Sequence, residues 1–447
     1  MTDEAAATLA NIATDEGEQL RREVSARFAA GQTSEAVAAA RNLLDRIPGL
    51  PTFRFLRKLV GNGAGRAAGL KPMKIALLSS FSIEFIHDSF CALGVASGLD
   101  FEIFQPGFGS FRQAILDADS ALYAFAPDVV VLAVEGSAWA PAAYDGYLDT
   151  ADDQLRRLPQ AVASELQALV AALRARCTAP LLIHNFARPL THRLGIADAK
   201  REMGQEELIA QINATLAELA RDASDMHIVD YAGLVNRNGA RNWYDDRMRL
   251  YAQAPIANAM LPELAGEYLK FMRALAGLTK KCLVVDLDNT LWGGVVGEDG
   301  VDALQLGPDY PGNAYVEFQR YLLGLSRRGI LLAIASKNNV ADVDEVFAGH
   351  RSMVLGYQHF AEREIHWEPK SRSLARIAQR LGIGLEHIVF VDDNPAECVE
   401  VRRALPMVRV IELPRQPERF VRTLDDAGLF DSLRVTAEDM RRGDMYR

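Results

Sequence analysis

The 447 residues carry 49 basic and 59 acidic side chains, a formal net charge of −10. Apolar residues make up 49% and charged residues 24%, a globular composition that excludes a disordered or fibrous chain. The acidic balance excludes a general nucleic-acid binder, and no apolar run reaches the length of a membrane span. The acidic, Ala-rich start lacks the pattern of a secretion signal. Cys91, Cys177, Cys282 and Cys398 are too scattered for a disulfide framework or a Cys-based zinc site. The expectation is a soluble, cytoplasmic, multidomain protein with neither a nucleic-acid nor a membrane partner.

In chain order, Leu20, Val24 and Phe28 recur every four residues, Gly31 ends that helix, and Thr33 or Ser34 caps the next. The second helix carries Val37, Leu43 and Leu44 and stops at Pro48-Gly49, which predicts a helical hairpin. Gly61 to Gly69 reads as a linker. From Lys74 the pattern changes to buried strands at Lys74–Leu78, Asp128–Val134, Leu181–Asn185 and His227–Asp230, with an amphipathic helix through Leu208, Ile212 and Leu219. A helix over Leu264–Leu275 closes this segment. The same logic then repeats. Strands Cys282–Leu287, Ile330–Ala335, Ile388–Val391 and Val408–Ile411 alternate with helices Ala314–Arg327, Ser371–Leu381 and Ala396–Ala404. The predicted class is α/β: two Rossmann-like parallel-sheet domains preceded by a small helical hairpin. The expected boundaries are 1–70, 71–277 and 278–447, the last ending in a helical tail.

In an open parallel sheet, the loops at the carboxyl ends of the strands form the ligand crevice. In the last domain those ends carry Asp286-Leu287-Asp288-Asn289-Thr290, then Ser336-Lys337-Asn338, then Asp392-Asp393-Asn394-Pro395, while Lys370 begins a helix. Carboxylates grouped in this way repel one another unless a hard cation sits among them, and Mg²⁺ favours such oxygen ligands. An aspartate there can attack phosphorus and form an aspartyl phosphate. Lys370 and the cation offset the meeting of two anions, Ser336 bonds a phosphoryl oxygen, and Asp288 moves the proton. The spacing adds a further expectation. The stretch from Thr290 to Ser336, with Gly293, Gly294, Gly297, Gly300 and Gly307, suits a short flap rather than a cap domain.

These motifs, in this order, resemble the haloacid-dehalogenase-like (HAD) phosphatase superfamily. More narrowly, "KCLVVDLDNTLWGGVVGEDG", "IASKNN" and "HWEPKSRSLARIAQRLGIGLEHIVFVDDNP" resemble the FkbH-like proteins, and the similarity reaches from "KIALLSSFSIEFI" to "TAEDMRRGDMYR". The resemblance implies Asp286 as nucleophile and Mg²⁺ ligand, and Asp288 as acid/base and ligand through its carbonyl. It further implies Asp392 as the second metal carboxylate with Asp393 behind it, and Ser336 and Lys370 on the phosphate, where Thr290 is grouped with them. FkbH-like proteins take 1,3-bisphosphoglycerate, remove phosphate and load glyceryl as a thioester on the phosphopantetheine arm of an acyl carrier protein in polyketide biosynthesis. That activity is therefore the expected one. An ordinary small-molecule phosphatase and a non-catalytic interaction scaffold are the alternatives.

The middle domain is similar to SGNH-type hydrolases, with Ser79 and Ser80 in "LLSSFS" after its first strand. No Asp-x-x-His follows near Asp245–Arg249, so the serine lacks a base, and a binding or lid role is expected instead. Asn185 reads as a turn-forming residue. Asn289, Trp292, Gly293, Lys337 and Asn338 flank the acidic loops and are candidate substrate contacts, although Trp292 equally fits a packed flap. Among thiols, Cys282 lies four residues before Asp286 and reads as core. Cys398 stands near a helix N-terminus, which lowers a thiol pKa, yet a packed cysteine is the first reading. His350, His359 and His387 lack ligand spacing. Arg372 and Arg376, one helical turn apart, are candidates for docking an acidic carrier, with a solvated helix face as the plainer reading.

Overall fold

The computed structural model describes residues 3–61, 65 and 68–436. Of the expected C-terminal helical tail, residues 437–447 lie outside the described residues; the helix described before them is Phe420–Asp426. The chain divides into two compact units, Met1–Leu269 and Lys270–Arg447. The division falls inside the helix Leu261–Leu275, and the N-terminal helices belong to the first unit.

In the first unit, helices Asp3–Ala29, Thr33–Arg46 and Leu50–Val60 precede the sheet. The third helix replaces the expected end at Pro48-Gly49. Gly49 turns the chain with φ +137°, and Pro51 sits at the new helix start, where a missing N–H costs nothing. Thr33 and Ser34 lie inside the second helix, whose N-cap is Gln32. Val37, Leu43 and Leu56 bury against Ala92 and Val95 of the helix Ile86–Val95. The sheet holds β1 (Lys71–Ser79), β2 (Leu99–Phe104), β3 (Val129–Ala133), β4 (Leu181–His184) and β5 (Met226–Val229). All its pairs are parallel, in the order β2-β1-β3-β4-β5.

The second unit holds β6 (Cys282–Val285), β7 (Leu331–Ser336), β8 (Phe360–Ile365), β9 (Ile388–Asp392) and β10 (Arg409–Glu412). They lie in the order β10-β9-β6-β7-β8, again all parallel. Strand β6 is wholly buried because helices cover both faces of a parallel sheet, which is why Cys282-Leu283-Val284-Val285 reads as an unbroken apolar run. On one face pack Phe318 and Leu322 of the helix Gly312–Arg327; on the other pack Leu374 and Ile377 of the helix Lys370–Leu381. Between Leu291 and Gly312 the chain forms the short helix Val296–Asp299, a 3-10 turn and bridges from Trp292 to Asp288 and from Gly293 to Gln305. No cap domain is inserted there.

Candidate active site

Strand order creates the site. Because β6 lies between β9 and β7, their carboxyl ends place Asp286, Asp392 and Ser336 side by side at the spacing of neighbouring strands. The Asp286 N–H donates to the Val391 carbonyl at 3.1 Å, so this aspartate still belongs to the ladder. Leu287 turns into the core, and the alternation brings Asp288 back to the rim. Asn289 then takes φ +53°, a left-handed turn that its own side chain closes by accepting from the Gly294 N–H at 2.9 Å.

The rim encloses an open pocket of about 180 Å³. Asp286, Asp288, Asn289, Ser336, Lys337 and Lys370 contribute to its wall, joined by Asp393, Asn394, Glu397 and Val295. The Lys370 ammonium, almost fully buried, lies 2.9 Å from Asp286 Oδ1 and 2.5 Å from Asp392 Oδ2. The contact to Asp286 is an ion pair outside good hydrogen-bond alignment, and no other donor reaches the buried Asp286 Oδ1. Carboxylate oxygens of Asp286, Asp392 and Asp393 lie within 4.8 Å of one another. One ammonium cannot neutralise three carboxylates. Burial, and then the Asp286 charge, push the Asp393 carboxyl up to about 6 and raise Asp392 in the same way. Burial works against the Lys370 charge, but the two carboxylates outweigh it, and its pKa stands above the usual lysine value. An all-oxygen donor set, excess negative charge and an unsatisfied carboxylate oxygen fit a hard divalent cation.

Asp288 is held by three donors. Trp292 Nε1 and the Val296 N–H donate to its Oδ1 at 2.9 and 3.2 Å, and Asn338 Nδ2 donates to its Oδ2 at 3.0 Å. Burial raises its pKa and these bonds lower it less, so the net shift is upward, in the direction an acid needs. Asn338 also donates to Ser336 Oγ at 3.2 Å. Asn338 and Trp292, expected as substrate contacts, are thus buried supports of Asp288. Gly293 packs where a Cβ would meet Gln305 and Tyr315 at 2.7 and 2.9 Å. Thr290 is fully buried, its hydroxyl without a hydrogen-bond partner, and lies behind the pocket wall.

Cys398 is fully buried, with Sγ 3.7 Å from the Asp392 carbonyl. Burial, reinforced by the Asp392 charge, pushes its thiol up to about 12 and overrides the helix N-terminus expected to lower it. Cys282 is likewise a core thiol pushed up to about 12 by burial. Arg376 is bound to Glu364 and Glu368 at 2.6 and 3.0 Å, and Arg372 lies 3.9 Å from Glu368. Their charges are balanced locally, against the expected docking patch. Nδ1 of each of His350, His359 and His387 is engaged in a loop hydrogen bond.

In the first unit, Ser80 Oγ accepts from the Glu135 N–H at 3.0 Å. The buried His184 bonds Tyr268 through Nε2 at 2.7 Å and stacks on Tyr231. Ser79 is locked to Phe81, and Asn185 bridges Asp230 and the Ala232 N–H as a turn residue. Glu397 was not legible as a site residue. It faces Lys337 across the pocket from sixty positions away in sequence, and only the fold joins them.

A central strand ending in Asp-x-Asp, flanked by strands ending in Ser and Asp-Asp, with a buried lysine between the carboxylates, makes the second unit a HAD-type phosphatase domain. The comparisons agree. Residues 74–272 match the family model described as "FkbH, N-terminal domain". The crystal structure of the N-terminal part of protein BF1531 from Bacteroides fragilis, containing a phosphatase domain complexed with Mg, is similar with a TM-score of 0.76 and 26% identity. The likeness covers 85% of this chain and 98% of that one. No match was found among curated proteins. Residues 74–272 are thus similar to the FkbH N-terminal domain, and the chain as a whole is similar in fold to a protein that contains a phosphatase domain. Among the described residues, no helix is long and apolar enough to cross a membrane.

Proposed function

We propose that this chain is a Mg²⁺-dependent phosphoryl-transfer enzyme that takes 1,3-bisphosphoglycerate, removes phosphate and delivers the glyceryl unit as a thioester to an acyl carrier protein. The observation that carries the chemistry is the carboxylate cluster of Asp286, Asp392 and Asp393, bridged by Lys370, at the mouth of an open pocket. Asp286, Asp392 and Asp393 would hold the ion together with the Asp288 carbonyl. The ion supplies charge neutralisation at the phosphoryl oxygens.

The chain's own residues do the rest. An Asp286 carboxylate oxygen attacks phosphorus and the bond to the leaving oxygen breaks, while Asp288 gives that oxygen its proton. Asp288 then takes a proton from the incoming water, which attacks the phosphorus of the aspartyl phosphate and releases inorganic phosphate. Ser336 and Lys370 orient and neutralise the phosphoryl group. The acyl phosphate needs no further activation: a carrier thiolate attacks its carbonyl carbon, the carbon–oxygen bond breaks, and phosphate leaves. A rim without a cap domain leaves room for a long arm. The phosphoryl step is tested by quenching a reacting mixture with borohydride, which reduces an aspartyl phosphate to homoserine. Homoserine at position 286 is expected. Turnover that leaves Asp286 unmodified, or modifies another carboxylate, would overturn the assignment.

A further inference from the structure

Two ammonium groups line the phosphate pocket, and they are engaged differently. Lys370 is consumed between Asp286 and Asp392. Lys337 follows Ser336 on the adjoining loop, with about a third of its side chain exposed, and pairs with Glu397 at 2.6 Å. Glu397 stands in the first turn of the helix Pro395–Ala404 with its side chain mostly buried. Its Oε1 takes the lysine; its Oε2 is buried and has no donor. The rest of the charged lining, Asp286, Asp288 and Asp393, is acidic.

This arrangement is unlike a general anion trap. A carboxylate 2.6 Å away cancels most of the ammonium's field at long range, so Lys337 attracts few anions from solution. An anion already delivered to the pocket meets the same ammonium at contact distance in a partly dry site, where a charge-assisted hydrogen bond is strong. The transferred phosphoryl group is served by Ser336 and Lys370. Lys337 is the pocket cation left for another part of the same molecule.

Resting on the phosphoryl-transfer reading above, we propose that Lys337 recognises a second anionic group on the substrate, a carboxylate or second phosphate, and that Glu397 positions and tempers it. The favoured substrates are then small phosphate esters or anhydrides with two anionic ends. Singly charged phosphoesters of the same size are disfavoured.

The test compares 3-phosphoglycerate with glycerol 3-phosphate, which differ in a carboxylate against a hydroxymethyl group, as substrates with Mg²⁺. The readout is the ratio of the two kcat/KM values, which does not depend on the fraction of each variant that folds. The wild type is expected to prefer the carboxylate ester by about tenfold or more. Lys337→Met should bring the ratio near one, and Glu397→Gln should raise it above wild type because the ammonium is no longer offset. A merely structural pair would not move the ratio in opposite directions. An unchanged ratio in Lys337→Met, or shifts of the same sign in both variants, would overturn the assignment. Turnover without any wild-type preference would overturn it while leaving the phosphatase chemistry standing; no turnover of either ester would overturn the Lys337 assignment, and the borohydride trap with 1,3-bisphosphoglycerate decides the phosphoryl-transfer reading separately.

Discussion

Lys370 Nζ lies 2.9 Å from Asp286 and 2.5 Å from Asp392, so one buried ammonium bridges the carboxylates that end two paired parallel strands. Removing it as Lys370→Met leaves two buried carboxylates without their counter-charge. At pH 8 without divalent cation, the variant should lose about 3–5 kcal/mol of stability in urea unfolding. A loss under about 1 kcal/mol, the range of an exposed pair, would show that the bridge contributes little to the fold.

Asp286→Asn removes the proposed nucleophile and a proposed metal charge together while keeping the shape of the side chain. Phosphate release should fall by about a thousandfold or more, with the circular dichroism spectrum unchanged. Near-normal turnover in a folded variant would remove Asp286 from the mechanism.

The cation should announce itself through pH. Asp393 is pushed up to about 6, and Asp392 is raised as well, both above the value of about 4 that an unfolded carboxylate has. The ion-free folded state therefore binds more protons than the unfolded chain across this window. Its stabilising contribution is present at low pH and is lost as pH rises through about 6. A cation binds the deprotonated form and reverses that loss. The rise in melting temperature on adding Mg²⁺ should thus be larger at pH 8 than at pH 5. Equal rises would contradict a cation among these carboxylates. Zn²⁺ should not replace Mg²⁺ in activity after chelation, since every proposed ligand is oxygen.

Asn338 touches Asp288 at 3.0 Å and Ser336 at 3.2 Å, so its loss should act through the proposed proton-transfer group. Asn338→Ala is expected to lower kcat by about 10–100-fold, with a smaller change in KM. A change confined to KM would return Asn338 to the role of a substrate contact.

Ser80→Ala should lower activity less than about tenfold, because its hydroxyl accepts from the Glu135 N–H and no Asp-x-x-His near Asp245–Arg249 supplies it with a base. A thousandfold loss in a folded variant would mean that this serine carries the acyl group.

Legibility in the sequence followed burial. The central strands β6, β7 and β9 are continuous apolar runs whose ends carry the acidic, hydroxyl and amide residues, so both sheet and site could be read from them. The missed strands β2 and β8 lie at sheet edges. There Asp100 and Glu102 alternate with apolar residues in β2, and the consecutive Glu362, Arg363 and Glu364 interrupt β8, so neither shows an apolar run. The helix Val340–Gly349 buries only Val343 and Val346, too little for a periodic signal. Pro48-Gly49 hid the third N-terminal helix because a stop for one helix also suits the start of the next. Within the site, residue type showed the chemistry but not depth. Trp292 and Asn338 stand at the right place in the chain yet point inward to hold Asp288.

The proposed transfer is tested most directly by weighing the acceptor. Holo acyl carrier protein, incubated with the full chain, 1,3-bisphosphoglycerate and Mg²⁺, should gain the mass of one glyceryl group, whereas the apo carrier should gain none. Phosphate release at the same rate with and without carrier, and no mass gain on the holo form, would contradict the transfer and leave a simple phosphatase.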